Sequence, residues 1–350
     1  MNKASKTTQY YIVLTSYISL SFAIFTPMFN SRNLPIRLFF CFLSAFIYAI
    51  AISFLFSKNV HAKNTNGIFA KILSVIAALE SVFCVLLLMT EVIKDTSRIA
   101  GRGVNKEYYL LLSLFILAVC LYLCFNSEKG IYRFCCISVL PLILFAVSCL
   151  LAHFTVREIT ADFIDFSAHF FVDDAVKGIF SGLFLSADIS IFLYCFHSIA
   201  CDRRHSTKLC LLSLITAFGF WCLCIISVYT AFGKNLIILL SDPFYALTKA
   251  FDGFDTTEIL SAVRIFAFVI KSSVYIYSAS LALKRAFFCQ KACALKVIIP
   301  VLFLAVPAIY RPFLLFSKSS YGSLQHLIYI SVITLSFCFI ILLFFRKKQN

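Results

Sequence analysis

The chain has 350 residues, 61% of them hydrophobic and only 13% charged, with a formal net charge of +15. Soluble domains sit near half apolar and a quarter charged, and a soluble core of this length cannot hide so much apolar side chain. That excludes an ordinary soluble enzyme, and the basic excess has no soluble module on which to form a nucleic-acid-binding stripe, so lipid is the solvent that remains.

A helix needs ~20 mostly apolar residues to cross the hydrocarbon of a bilayer. Ten such runs follow one another: Tyr10–Met28, Leu38–Phe56, Ile68–Ile93, Tyr108–Phe125, Phe134–Phe154, Ala175–Ala200, Leu209–Phe232, Leu260–Leu283, Leu295–Tyr310 and Leu324–Phe345. The first does not read as a signal peptide, because Pro27 and Phe29 stand where small residues would mark a cleavage site. The ninth is the shortest and carries Pro300 and Pro307. The longest connections, Thr155–Asp174 and Gly233–Ile259, are too short and too apolar for a soluble domain. The expectation is an all-α polytopic membrane protein, one integral domain over residues 1–350.

Charge placement orients it. With the amino terminus inside, 17 Lys and Arg fall in cytoplasmic segments, 12 fall outside and two lie within spans. Of the 16 acidic residues only Glu128 and Asp202 fall inside, while Glu80 and Asp188 are within spans. The Lys/Arg bias places both termini in the cytoplasm, and Arg346-Lys347-Lys348 suits a helix end at the inner leaflet. The 15 cysteines lie mostly within spans, where a free thiol acts as a small hydrophobe. There is no CxxC pair, and Cys289 with Cys293 is a poor zinc pattern, so neither a metal nor another cofactor is expected.

Phosphate-binding, metalloprotease and nucleophile-elbow motifs are absent. One acidic stretch, Asp162, Asp165, Asp173 and Asp174 between spans five and six, invites comparison with Mg²⁺-dependent membrane enzymes. It lacks their motif order and a second acidic loop, and it falls on the outer face. An amphipathic lid, with Phe163, Phe166 and Phe170 on the bilayer, is the favoured reading.

Ionisable residues at membrane depth are costly and usually face a cavity or a partner. Glu80 is central in span three, Asp188 in span six and Lys271 in span eight. Arg264 stands two turns before Lys271 on the same face, near the outer end, where a long cation can reach the interface. Together the four cancel, which suggests pairing inside the bundle. Span six also carries small residues at Gly178, Ser181, Gly182, Ser186 and Ala187, which permit close packing or a helix break beside a solute. Lys271 is followed by Ser272, Ser273, Tyr275 and Ser278, hydroxyls able to line a polar cavity. Candidate ligand-binding residues are therefore Glu80, Ser186, Asp188, Lys271, Ser272, Ser273 and Tyr275.

From about Tyr108 to Gln290 the chain resembles the spore germination receptor B-subunit family of the amino acid/polyamine/organocation transporter superfamily. The resemblance is carried by Gly130-Ile-Tyr-Arg-Phe with Pro141-Leu-Ile-Leu, Gly178-Ile-Phe with Ala187-Asp188-Ile, Asp242-Pro243-Phe-Tyr245, and Phe268-Val-Ile-Lys271-Ser-Ser-Val-Tyr275-Ile-Tyr277. It implies a LeuT-like inverted repeat of five plus five spans, with an amino-acid germinant held between spans one, three, six and eight. Asp188 would recognise a cationic group or hold a break in span six, and Lys271 would stand where related transporters place a coupling sodium. It also implies a second membrane subunit (the A type) and a lipoprotein (the C type) as partners, in the spore inner membrane of a bacterium. Where the family has a glycine-rich break in the first span, this chain reads Ser21-Phe22-Ala23-Ile24-Phe25-Thr26-Pro27, keeping only the proline. A proton-coupled amino-acid permease working through Glu80 or Asp188, and a membrane enzyme using the outer acidic loop, stand as the alternatives.

Overall fold

A computed structural model describes residues 9–15, 17–18, 33–59, 71–81, 84, 115, 118–124, 127–155, 172–195, 203–237, 239–240, 243–249 and 257–287. Among these there is no strand. The helices are α1 (Leu34–Asn59), α2 (Ser127–Thr155), α3 (Val172–Cys195), α4 (Arg203–Ile237), α5 (Pro243–Lys249) and α6 (Thr257–Phe287). Residues 9–15, 17–18, 71–81, 84, 115 and 118–124 are helical too, within the first, third and fourth expected spans. The ninth and tenth expected spans lie outside the described residues.

Local chemistry explains the helix ends and bends. Asn33 caps α1, its Oδ1 accepting the Ile36 N–H at 3.2 Å, and Pro35 occupies the first turn, where no intrahelical N–H bond is lost. Pro141 lies inside α2, a position tolerated within membranes because neighbouring groups satisfy the freed backbone. Gly233, at φ 67° and ψ 165°, kinks α4 near its end in a conformation that an L side chain resists. The connection after it is not merely a loop: α5 returns to the bundle and seats the buried Phe244 against Trp221 (5.5 Å) and Phe145 (6.1 Å).

Among the described residues, four helices are long and apolar enough to cross a membrane, in segments Leu34–Ser53, Gly130–Leu151, His205–Gly233 and Val263–Lys284. Their polarity is arranged inside out. On α2, Ile137 and Leu140 are each 63% exposed, and Leu144, Val147 and Leu151 continue that outer face. Glu80, Lys271 and many serines are buried instead. A soluble surface rarely exposes so continuous an apolar patch, whereas lipid favours it. The buried hydroxyls turn back onto their own helices: Thr15 donates to Tyr11 O (2.7 Å), Ser81 to Ala77 O (2.7 Å) and Ser227 to Leu223 O (2.9 Å). That is how a hydroxyl is satisfied where water is scarce. The regular structure of the described residues is thus all helical, with the features of a membrane protein.

The helices pack with readable direction. Asn33 meets Asp174, Arg37 meets Gly178, Cys41 meets Gly182 and Ala45 meets Ser186, so α1 and α3 keep a fixed offset of 141 residues and run parallel. Phe145 with Phe220 and Cys149 with Cys224 make α2 and α4 parallel. Cys120 on Val269 O and Cys124 on Ser273 O, both 149 apart, make segment 118–124 parallel to α6. Phe42 with Phe218 and Ser53 with Cys210 make α1 and α4 antiparallel.

Candidate functional site

The site is built around α6. Its membrane-length segment is 83% buried, against 33% for that of α2, so α6 is the helix the others surround. It nonetheless carries Arg264, Lys271, Ser272, Ser273, Tyr275 and Ser278, all buried. Arg264, at 9% exposure, is packed inside and does not extend to the surface.

Lys271 has no exposed area, and its Nζ lies over the Tyr275 ring, 5.1 Å from the centroid. The i,i+4 spacing on one helix makes this contact, and a desolvated cation gains most from an aromatic face. The Tyr275 hydroxyl lies beside the Cys84 thiol, which brings α6 against the third expected span. Cys84 stands one turn beyond Glu80, a fully buried carboxyl group whose charge acts on both Cys84 and Tyr275. Lys271 acts on Cys84 and also on Cys135 of α2, and Cys135 lies beside Thr15 of the first helical segment. Four stretches of chain therefore converge on one buried polar cluster.

The expected site residues divide as follows. Glu80, Lys271 and Tyr275 come together. Ser273 borders the cluster, its hydroxyl donating to Val269 O (2.6 Å) and lying in hydrogen-bonding reach of Cys120. Ser272 is buried next in sequence, and its hydroxyl has no hydrogen-bond partner among the described residues. Ser186 points elsewhere: it donates to Ala45 O of α1 at 3.2 Å, a helix–helix contact. Asp188 lies within α3, and its side chain is outside the described residues.

The small residues of span six serve packing in the structure. α3 is continuous from Val172 to Cys195, with no break at Gly182 or Ser186. At Gly178 a β-carbon would press on Arg37 O, and at Gly182 it would overlap Cys41 O and the Ser44 hydroxyl. Ser44 in turn donates to Ile179 O at 3.1 Å. The acidic stretch is corrected as well. Asp173 and Asp174 are in the first turn of α3, not in a loop, where the helix dipole favours carboxylates. Asp174, 4% exposed, accepts the Asn33 N–H at 2.8 Å and faces Arg37, while Asp173 pairs with Lys177 at 2.6 Å on the surface. Asp162 and Asp165 lie outside the described residues. Among the described residues no group of three or more His, Cys, Asp or Glu is placed to hold a metal ion.

Thr15, Cys84 and Cys135 were not expected at the site. Cys84 was within reach of sequence reasoning, because it follows Glu80 at one helical turn. Thr15 and Cys135 come from other helices and carry no such signal. Compared with models of known protein families and with curated proteins, the chain matches none.

Proposed function

We propose that this chain is the solute-binding membrane subunit of a nutrient receptor, holding a small amino-acid-like molecule near the bilayer midplane. The observation that supports this most directly is the convergence on Tyr275 and Cys84 of two fully buried, oppositely charged residues, Glu80 and Lys271. Buried charges are weak sources of stability and costly to keep, which favours a use for them beyond packing. The resemblance to the spore germination B subunit supplies the physiological frame: an amino-acid germinant, a bacterial spore inner membrane, a LeuT-like ten-span bundle with both ends cytoplasmic, and A-type and C-type partner subunits.

The test is binding by the full chain reconstituted in lipid nanodiscs and screened against the twenty protein amino acids by thermal unfolding. At a hundredfold excess over Kd, a true ligand stabilises by about 2.7 kcal/mol. At least one amino acid should do so for the wild type and fail to do so for Lys271→Met. A screen in which none binds, or in which Lys271→Met binds equally well, overturns the reading.

A second reading, a proton-coupled permease, draws on Glu80: a fully buried carboxyl group is the kind of group that carries protons in transporters. Proteoliposomes that accumulate the labelled amino acid under an imposed pH gradient favour the permease. Binding without accumulation favours the receptor.

A further inference from the structure

We infer a second buried polar site, separate from the one around Lys271: a pocket that holds internal water between the first helical segment, α1 and α4. The pocket is independent of any solute at Lys271. Thr15 faces the Lys271 cluster through Cys135. Tyr17, two residues on, points about 200° round the same helix, and it lies within electrostatic reach of Tyr48 in α1 and Cys210 in α4. Ser53 of α1 lies beside the Cys210 thiol. The antiparallel register agrees. Phe42 packs on Phe218 at 4.8 Å, and moving toward the end of α1 moves toward the start of α4, which brings Tyr48 and Ser53 to the level of Ser213 and Cys210.

Tyr17, Tyr48, Ser53, Cys210 and Ser213 are all buried. The Oγ atoms of Ser53 and Ser213 have no hydrogen-bond partner among the described residues. Ser81, Ser148 and Ser227 show the alternative, since each donates to a carbonyl of its own helix. A buried hydroxyl with no such bond is costly, and water relieves the cost where several polar groups meet. Hydroxyls and a thiol are neutral groups that both donate and accept, which suits water rather than an ion.

The pocket has a boundary along α4. Cys210, Ser213, Ala217, Trp221 and Cys224 recur at three- and four-residue spacing and share one buried face. Beyond Ala217 the packing is aromatic and apolar: Trp221 meets Phe244 at 5.5 Å, Phe145 meets Phe220 at 6.2 Å, and Cys224 lies beside Cys149. Apolar interiors of this kind stay dry. One helix thus carries two buried thiols, Cys210 on the wet side of the boundary and Cys224 on the dry side.

The experiment is microsecond X-ray radiolysis of the full wild-type chain in nanodiscs in heavy-oxygen water, read residue by residue by mass spectrometry. Water held against a side chain is split in place and oxidises it, so buried residues are marked where water touches them. Cys210 should take up heavy oxygen several-fold faster than Cys224, which is as deeply buried on the same helix. An impermeant maleimide should modify neither thiol. Equal uptake at the two thiols overturns the inference, and no variant needs to fold to show it. Maleimide reaction at Cys210 also overturns it, because that thiol would then open to bulk water instead of touching held water. Replacing both serines, Ser53→Ala with Ser213→Ala, should bring uptake at Cys210 down to that at Cys224. Undiminished uptake in the folded double variant means that these hydroxyls hold no water, and the inference fails.

Discussion

Gly182 of α3 lies against the carbonyl of Cys41 in α1 so closely that a β-carbon there would occupy the space of that oxygen and of the Ser44 hydroxyl. Without a hydrophobic force between helices in lipid, such close approach is a main source of association. Gly182→Ala should therefore destabilise the chain by about 1–3 kcal/mol, the usual cost of overpacking. Gly219 of α4 is the control, because a β-carbon there meets nothing within 4 Å. Gly219→Ala should be neutral or stabilising by about 0.4–1 kcal/mol. Thermal unfolding of both variants in the same nanodiscs checks this, and equal effects would remove the close contact from the account.

Asp174 and Asp173 should behave differently despite being neighbours. Asp174 is buried and holds the Asn33 N–H at the start of α1. Asp174→Ala should cost about 1.5–3 kcal/mol, the value of a hydrogen bond to a charged group. Asp173 makes an i,i+4 pair with Lys177 in which both side chains are more than half exposed. Asp173→Ala should cost no more than about 0.5 kcal/mol. If the two variants lose the same stability, Asp174 does not dock α3 onto α1.

Composition and run length make the helical membrane character legible: the described helices cover the second, fifth, seventh and eighth expected spans, and α3 follows the sixth as far as Cys195. α3 starts at Val172, ahead of the expected Ala175, because two aspartates beside an apolar run resemble a loop in sequence yet suit the positive dipole end of a first helical turn. Gly178, Gly182 and Ser186 announced close packing, but their partner did not show: nothing in either segment states an offset of 141 residues. The site divides in the same way. Glu80 and Lys271 stood out because charge is rare in such runs, whereas Thr15 and Cys135 are unremarkable in sequence and gain meaning from the helix that happens to lie opposite.

The packing directions make a prediction about sidedness. α1 runs parallel to α3 and antiparallel to α4, so α3 and α4 run in opposite directions and start at opposite ends of the packed helices. Cysteines placed at Asp173, near the start of α3, and at Lys208, near the start of α4, should be labelled by an impermeant maleimide from opposite sides. The charge bias predicts Asp173 outside and Lys208 in the cytoplasm. Peptide-level mass spectrometry separates these sites from the native cysteines. Labelling of both from one side contradicts the antiparallel packing, and labelling of Lys208→Cys alone from outside reverses the orientation.

Tyr275 has two contacts that can be separated. Its ring underlies Lys271, and its hydroxyl reaches Cys84 on another helix. Tyr275→Phe keeps the ring and removes the hydroxyl, at an expected cost of about 0.5–1.5 kcal/mol. Tyr275→Leu removes the aromatic face as well, and the loss of a desolvated cation–π contact adds about 2 kcal/mol. If the hydroxyl bond joins the helices, Tyr275→Phe and Cys84→Ala remove the same interaction. The double variant should then be more stable than the sum of the single effects implies, with a coupling of at least about 0.5 kcal/mol. Additive losses in unfolding measurements would mean that Tyr275 holds Lys271 but does not tie α6 to the helix carrying Glu80, and the two charges would lose the link that places them in one site.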